Sequence, residues 1–369
     1  MRWPSAASAA APLLAALALT PLALPAPAPA AAPLPSELSE NPRAIASAFS
    51  DNSVRGEKPP AGSAIDRRIT DPRVTESSGL ASSLLHPGVL WTHNDSGDDP
   101  RIFAIAPDGS TAATYTLPGA PARDWEAISS GRDADGRAVL WIADIGDNLG
   151  VWRSIRVLRV REPEVLRDSA LEWTRYDLVF ADGSRNAEAL LADPATGRLY
   201  VASKETSGAG LYAAPSPLVA GSRNTLRRIG DVPSVITDGA FTADGGRVAL
   251  VDYVYAWVYR WTGEGLAPAP QRILLPARGQ GESVAWTDDG SALLVGSEGV
   301  RSPIWRVPVG EASTSPTASA DPTASAEPSA QPSGEQGEGD GGQPPLWLWA
   351  AGALVAVVVA TVAARSHRR

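Results

Sequence analysis

Cysteine is absent from the 369-residue chain, which excludes disulfide bonds and thiol chemistry. Lys58 and Lys204 are the only lysines, and residues 34–310 carry 35 acidic against 28 basic side chains, a balance of −7. No basic stripe interrupts this excess, which argues against binding to a nucleic-acid backbone. The same region offers only His86 and His93 as imidazole ligands, so a zinc site of the usual kind is not expected.

Recognisable catalytic motifs are also missing. The sequence has no G-x-S-x-G nucleophile elbow and no glycine-rich phosphate loop that leads from a strand into a helix. Between its two ends the chain shows no sustained helical periodicity. These absences disfavour α/β enzymes, although a metal-activated water would need no nucleophilic side chain.

Both ends of the chain carry features of export. Residues 1–32 contain one Arg, an apolar run over residues 11–24 and small residues near the predicted cleavage position, as in a secretory signal peptide. Residues 346–364 are a run of 19 without a charged side chain, about 28 Å long as a helix, and RSHRR follows. We therefore expect a single-pass protein of the cell membrane, with an extracellular N-terminal domain and residues 365–369 in the cytoplasm.

Two segments of biased composition flank the predicted folded part. Residues 311–345 contain no aromatic residue and no Leu, Ile or Val, so they are predicted to be a stalk rich in Pro, Ser, Thr and Gly. Residues 33–64 are similar, although less extreme, and are predicted to be a disordered linker. The folded domain is thus expected over residues 65–310, and we expect it to be a monomer.

A repeat of short strand patterns occupies this domain. Each unit opens with a Ser or an acidic residue near small and apolar residues, at SGLASS, WEAISS, AEALLA, DGAFTA and ESVAWT. The equivalent positions are Ser78, Glu126, Glu188, Asp238 and Glu282, which lie 48, 62, 50 and 44 residues apart. Units of four strands at this spacing predict an all-β, five-bladed β-propeller, closed by an N-terminal strand over residues 66–74. A β-sandwich with coincidental spacing is the alternative fold.

Polar clusters follow the second strand of each unit, for example HNDSGDD after VLW and DIGDN after LWIA. In an antiparallel meander the start of the first strand and the end of the second strand lie at the same end. The clusters are therefore expected to converge on one mouth of the central channel. The residues brought together in this way are Glu126, Asp144, Asp147, Glu188 and Glu282, with His93, Asp95, Asp124, Asn148, Lys204, Asp238, Asp252 and Glu298 around them.

Two explanations fit these clusters. Turns favour Asp, Asn, Gly and Ser in any case, and a water-filled channel would solvate them, which accounts for any single cluster. Acids at four of the five equivalent first-strand positions exceed what turns need, and like charges held together require a cation or a proton. Oxygen ligands without Cys and with little His suit calcium, which is the cofactor that we expect.

The function that follows is a cell-surface propeller that binds a metal ion and, through it, a ligand at an acidic channel mouth. Its partner would be an unknown extracellular ligand or protein. Two alternatives stay open: a calcium-assisted hydrolase of phosphate or carboxylic esters, and a structural or scaffolding surface module without a metal.

The motifs ESSGLASS, LWTHNDSGDDPRIFAI, RDWEAI, LWIADIGDN and QGESVAW resemble a group of uncharacterised secreted bacterial β-propellers of WD-repeat-like type. More distantly, their order is similar to that of phytase-like and SdiA-regulated propellers. The resemblance spans residues 70–309. Phytase-like propellers hold calcium ions with carboxylates at the channel mouth, which implies that role here for Glu126, Asp144, Asp147, Glu188 and Glu282. The chain lacks the Lys- and Arg-rich mouth that a highly phosphorylated substrate would need.

Overall fold

The structure, a computed structural model, describes residues 58–310. Within these residues the chain forms strands and turns but no helix, which confirms the predicted all-β class. Accordingly, none of the described elements is a helix long and apolar enough to cross a membrane. The predicted signal peptide, stalk, membrane span and cytoplasmic tail, and most of the predicted linker, lie outside the described residues.

The strands of residues 58–310 are short, as the sequence patterns predict. In chain order they are β1 (Ala64–Arg68), β2 (Ser77–Ser82), β3 (Leu90–Asn94), β4 (Arg101–Ile105), β5 (Thr111–Thr116), β6 (Trp125–Arg132), β7 (Ala138–Asp144), β8 (Ile155–Arg161), β9 (Ser169–Ala170), β10 (Trp173–Phe180), β11 (Ala187–Ala192), β12 (Leu199–Ser203), β13 (Gly210–Ala213), β14 (Arg223–Asp231), β15 (Asp238–Phe241), β16 (Arg247–Val251), β17 (Tyr255–Arg260), β18 (Gln271–Leu274), β19 (Ser283–Trp286), β20 (Ala292–Gly296) and β21 (Pro303–Pro308).

These strands pair as successive antiparallel meanders. In order along the chain, the meanders are β2-β3-β4-β5, β6-β7-β8-β10, β11-β12-β13-β14, β15-β16-β17-β18 and β19-β20-β21-β1. A parallel pair between β10 and β14 joins the outer edges of the second and third meanders into one eight-stranded sheet. The loop that lengthens the second repeat carries β9, which pairs in parallel with β5 of the first meander.

An N-terminal strand completes the last meander. β1 pairs antiparallel with β21, with Ala64 opposite Arg306 and Arg68 opposite Pro303. The observed strand begins two residues earlier than the predicted one and ends at Arg68. Ile69 and Val74 lie beyond it and are buried in the apolar layer between the last and the first meander.

The meanders are arranged in a ring. Their innermost strands contact one another in the order β2, β6, β11, β15 and β19, and β19 contacts β2 again. A separate apolar cluster fills each space between neighbouring meanders. A closed cycle of antiparallel meanders with an apolar layer at each contact is the architecture of a β-propeller.

Packing on both sides explains why the second strand of each meander reads as a continuous apolar run. In β7 all seven residues, AVLWIAD, are buried, because a neighbouring meander covers each face of the sheet. Trp91 of β3 is fully buried, and its ring centroid lies 5.7 Å from that of Tyr115. Each such large side chain contributes about 2 kcal/mol or more through burial of apolar surface.

Three innermost strands contain a bulge where the mouth begins. The pairing of β2 with β3 skips Ser78, that of β6 with β7 skips Glu126, and that of β11 with β12 skips Glu188. A bulged residue leaves the regular ladder and re-aims its side chain. The fourth meander has no such bulge at Asp238, which pairs directly with Val251.

Both ends of the described chain lie at the face opposite the mouth. Val309, just after β21, donates its backbone N–H to Ser291 O, in the turn that joins β19 to β20 at their far ends. β1 starts beside the same end of β21, because Ala64 lies opposite Arg306. A segment that continues from residue 310 therefore leaves from the face that the mouth does not occupy.

Candidate functional site

The same backbone contact builds the mouth in four meanders. The first residue after the second strand, or in the last meander the second residue, donates its N–H to the backbone carbonyl of the residue two places before the equivalent first-strand position. These bonds run from Asp95 to Glu76 (2.9 Å), from Ile145 to Asp124 (3.1 Å), from Lys204 to Asn186 (3.0 Å) and from Glu298 to Gln280 (2.9 Å). The first-strand positions lie two residues after these four acceptors and are Ser78, Glu126, Glu188 and Glu282. They are therefore structurally equivalent, as the repeat predicts.

A compact acidic triad lies on one side of the mouth. One carboxylate oxygen from each of Asp95, Asp124 and Glu126 lies within 4.8 Å of the others. Glu126 reaches the triad from the bulge in β6, Asp124 from just before that strand, and Asp95 from the end of β3. Gly146 borders the triad, since a Cβ at this position would overlap Glu126 Oε1 and stand 2.6 Å from Asp124 Oδ2.

The three carboxyl groups of this acidic triad all have raised pKa values, although Lys204 lowers those of Asp95 and Glu126. Burial and then the nearby Asp95 raise the pKa of Asp124 to about 7. Burial, followed by repulsion from Glu188, raises the pKa of Glu126 well above its usual value. Burial also raises the pKa of Asp95, whose Oδ1 is buried without a hydrogen-bond partner. Oxygen ligands of this kind, close together and short of counter-charge, fit a hard divalent cation such as calcium.

The opposite side of the mouth contains a basic side chain. The Lys204 ammonium lies 2.5 Å from Glu188 Oε2 and 5.2 Å from the centroid of the Tyr253 ring. Burial opposes the charge of Lys204, but Glu188 and Glu282 outweigh it and hold its pKa well above the usual value. Burial nevertheless raises the pKa of Glu188 to about 8, with Glu282 adding to the effect. One ammonium thus compensates these carboxyl groups only in part.

Glu282 and Glu298 complete the acidic ring on the side of the last meander. Glu282 is 3% exposed, and burial is the largest cause of its raised pKa. Burial and then Glu282 raise the pKa of the half-buried Glu298 to about 8. The predicted residues Glu126, Glu188, Glu282, Asp95, Asp124, Lys204 and Glu298 therefore do come together at one mouth.

Two of the expected metal ligands have other partners. Asp144 is fully buried, accepts hydrogen bonds from the backbone N–H groups of Arg123 and Asp124 at 2.9 Å, and pairs with the side chains of Arg123 (3.1 Å) and Arg156 (3.3 Å). Asp147 accepts hydrogen bonds from the N–H groups of Val151 (2.9 Å) and Trp152 (2.6 Å). Asp144 therefore positions Asp124 without joining the acidic triad, and Asp147 orders its own loop.

The remaining predicted ligand-binding residues divide in the same way. Asn148 donates a hydrogen bond to Asp124 Oδ2 at 3.0 Å and so borders the acidic triad. His93 is fully buried, with Nδ1 2.8 Å from Asn94 O and its ring edge-on to Trp125, and burial lowers its pKa to about 4. A neutral imidazole in this position packs between the first and second meanders.

The two acids of the fourth meander also serve the fold. The Asp238 carboxylate accepts hydrogen bonds from the N–H groups of Gly239 and Val284, both at 2.7 Å, and so ties β15 to β19. Asp252 accepts hydrogen bonds from the N–H groups of Val254 and Tyr255 and from the indole of Trp257. Both carboxylates are thus used within the protein.

Glu76, which the meander pattern of the sequence also predicts near the HNDSGDD turn, is exposed and interacts electrostatically with Asp95. Its place two residues before Ser78 matches that of Asp124 before Glu126. Sequence reasoning missed two other residues of the site. Tyr253 follows Asp252 at the end of a second strand, as Lys204 follows Ser203, which could have indicated it. Gly146 had no such signal, because its close approach depends on the path of the loop after β7.

A cavity lies at the other end of the ring. Its volume is about 400 Å³, and the far ends of the innermost strands line it with small and hydroxyl side chains such as Ser82, Ser130 and Thr242. These hydroxyl groups already donate to Trp286 O, Ser82 O and Asp244 Oδ1 respectively. Because no cluster of perturbed titratable groups lies among its lining residues, we assign the candidate site to the acidic mouth.

No protein-family model and no curated protein sequence matches the chain. The chain is similar in structure to the PQQ-bound form of an aldose sugar dehydrogenase from Streptomyces coelicolor, with 14% identity, a TM-score of 0.42 and coverage of 68% of this chain and 99% of that one. It is also similar to a chain of a nidogen/laminin complex, with 15% identity, a TM-score of 0.39 and coverage of 61% and 73%. The fold described above rests on strand pairing and ring closure, and these distant likenesses assign no activity.

Proposed function

We propose that the chain is a five-bladed β-propeller of the cell surface that binds one calcium ion at Asp95, Asp124 and Glu126 and, through it, a ligand. The observation that carries this proposal is the compact acidic triad, whose carboxylate oxygens lie within 4.8 Å of one another. Calcium–oxygen distances of about 2.4 Å allow a single ion to reach ligands with that separation.

The choice of a hard cation follows from the surroundings of the acidic triad. Each member of the acidic triad offers a carboxylate oxygen, and the buried His93 has its Nδ1 against a backbone carbonyl. Gly146 leaves the space beside Glu126 and Asp124 that a side chain would fill. Calcium accepts irregular sets of oxygen ligands and keeps sites for water or for a ligand. A partner with a carboxylate, a phosphate or hydroxyl groups could complete its coordination.

The surface location is proposed from the sequence alone, from the export features of residues 1–32 and from the uncharged apolar run over residues 346–364 that RSHRR follows.

Thermal unfolding of the full chain, purified in detergent, tests the metal site. Calcium bound only to the folded state should stabilise it by about 2.7 kcal/mol at a hundredfold excess over Kd, and a chelator should reverse the gain. Asp124→Asn and Glu126→Gln should abolish the response. Asp133→Asn is the matched control, because Asp133 orders the turn between β6 and β7 at the opposite end.

The outcomes separate the alternatives. A melting temperature that ignores both calcium and chelator would contradict the metal site and favour a structural module without a metal. The hydrolase alternative predicts calcium-dependent turnover of simple phosphate or carboxylic esters that Glu126→Gln removes. Calcium binding without such turnover would favour the binding function.

A further inference from the structure

Lys204 places an ammonium group inside the mouth. Its side chain is 13% exposed and that of Glu188 is 4% exposed, with Nζ and Oε2 2.5 Å apart. The Tyr253 ring lies beneath the ammonium at 5.2 Å, a geometry that adds cation–π attraction. Tyr253 follows Asp252 at the end of β16 in the next meander, so the ammonium contacts groups from two meanders.

Glu282 supplies a buried carboxyl group to the same place. Both of its oxygens are buried, the residue is 3% exposed, and the side chains of Gln280 and Tyr253 hydrogen-bond to it. Lys204 is the strongest positive influence on its pKa, and the buried Arg278 also interacts with it. A buried carboxylate of this kind requires a cation close by.

We propose that Glu188, Glu282 and Tyr253 form a second cation subsite of the mouth, one that selects a primary alkylammonium group and that the chain fills with its own Lys204. This inference extends the proposed calcium-binding mouth, but it does not require the acidic triad to bind calcium. The mouth would then hold two cations, the ammonium of Lys204 and one metal ion from solution. Because Lys204 occupies the second subsite, only one metal ion would be bound.

The arrangement suits an ammonium better than a metal ion. Among the described residues, the group of carboxylates compact enough for a metal is the acidic triad, and neither Glu188 nor Glu282 belongs to it. An ammonium makes hydrogen bonds of about 2.8 Å, longer than calcium–oxygen bonds of about 2.4 Å, so it reaches acceptors that are further apart. The face of the Tyr253 ring on its third side attracts an organic cation through its π electrons.

Chemical rescue tests the subsite. Lys204→Ala removes Cγ, Cδ, Cε and Nζ, and n-propylammonium has the same heavy atoms. In the presence of chelator, millimolar propylammonium should raise the melting temperature of the full-length Lys204→Ala protein by several degrees. Its apparent affinity should exceed that of 1-propanol at least about tenfold, the factor expected from charge-assisted hydrogen bonding. Tetramethylammonium, which has no N–H donor, should not rescue.

Lys204→Met is the matched control, because its side chain refills the space without a charge and should leave no room for propylammonium. Wild-type protein should also show no response, since Lys204 occupies the subsite. Equal effects of propylammonium and propanol, or the same effect on wild type, would overturn the proposal. If Lys204→Ala does not stay folded, the yield of refolding with and without propylammonium gives the same comparison. If propylammonium rescues Lys204→Ala but calcium does not change the melting temperature of the wild type, the metal site is refuted and the ammonium subsite stands.

Discussion

The two sides of the acidic mouth contain the same kind of side chain but differ in counter-charge. Glu188 pairs with the ammonium of Lys204, which also interacts with Glu282. Among residues 58–310, by contrast, no basic side chain forms an ion pair with Asp95, Asp124 or Glu126. The pKa of Asp124 and that of Glu188 are nevertheless both raised, mainly by burial. The comparison teaches that one lysine does not neutralise this ring, and that the side without a lysine depends on a cation from solution or on protons.

Removing the internal charge should have the largest effect. Lys204→Met leaves Glu188 buried without its ion-pair partner and leaves Arg278 as the remaining basic neighbour of Glu282. Breaking a buried pair in this way costs about 3–5 kcal/mol of unfolding free energy. Chemical denaturation in the presence of chelator measures it. Lys58→Met is the control, because the chain's other lysine is exposed, and it should change stability by less than about 0.5 kcal/mol. Equal effects of the two variants would contradict the role of Lys204 as a counter-ion.

The dependence of stability on pH should change sign with calcium. The pKa of Asp124 is raised from 3.8 to about 7, and those of Glu188 and Glu298 from 4.5 to about 8. Without metal, the folded protein therefore holds protons that the unfolded chain has released. The stability from these groups is fully present below pH 4 and is lost as the pH rises through about 7 to 8.

With calcium bound to ionised carboxylates, the protonated form of the acidic triad is the weaker binder. Stability should then increase over the same interval from pH 5 to about 8, because protons compete with the ion. Melting temperatures in chelator and in calcium at matched ionic strength provide the test. Parallel curves under both conditions would contradict a metal at the acidic triad.

The repeat was sufficient to predict the meanders and the convergence of their acids. Alternating apolar patterns and Asp-Gly turns place the strands, and antiparallel pairing then brings strand starts and strand ends to one mouth. The sequence could not show which acids have partners. Arg123 lies 21 residues before Asp144, in the loop that precedes β6, and Arg156 lies 12 residues after it, in β8. Both side chains reach Asp144. Such pairings depend on side-chain direction, which strand patterns do not specify.

The register of the fourth meander shows a second limit. Asp238 matches Glu126 by spacing alone, but β15 lacks the bulge that turns Glu126 into the mouth. Its side chain points instead to the N–H groups of Gly239 and Val284. Because successive strand residues face opposite sides, a shift of one residue in the strand register decides whether an acidic side chain faces the mouth or hydrogen-bonds within the fold.

The smallest expected effect concerns the space beside the acidic triad. Gly146→Ala would place a methyl group over Glu126 Oε1 and 2.6 Å from Asp124 Oδ2, so both carboxylates would have to move. Since Gly146 has no positive φ, the backbone itself tolerates alanine. We expect the calcium affinity to fall about tenfold, or about 1.4 kcal/mol, with little change of stability in chelator. Gly136→Ala is the control for a distant turn: nothing lies within 4 Å of its added Cβ, and its φ of 78° makes it strained but remote. It should lower stability equally with and without calcium, whereas an unchanged calcium affinity in Gly146→Ala would place the ion away from Asp124 and Glu126.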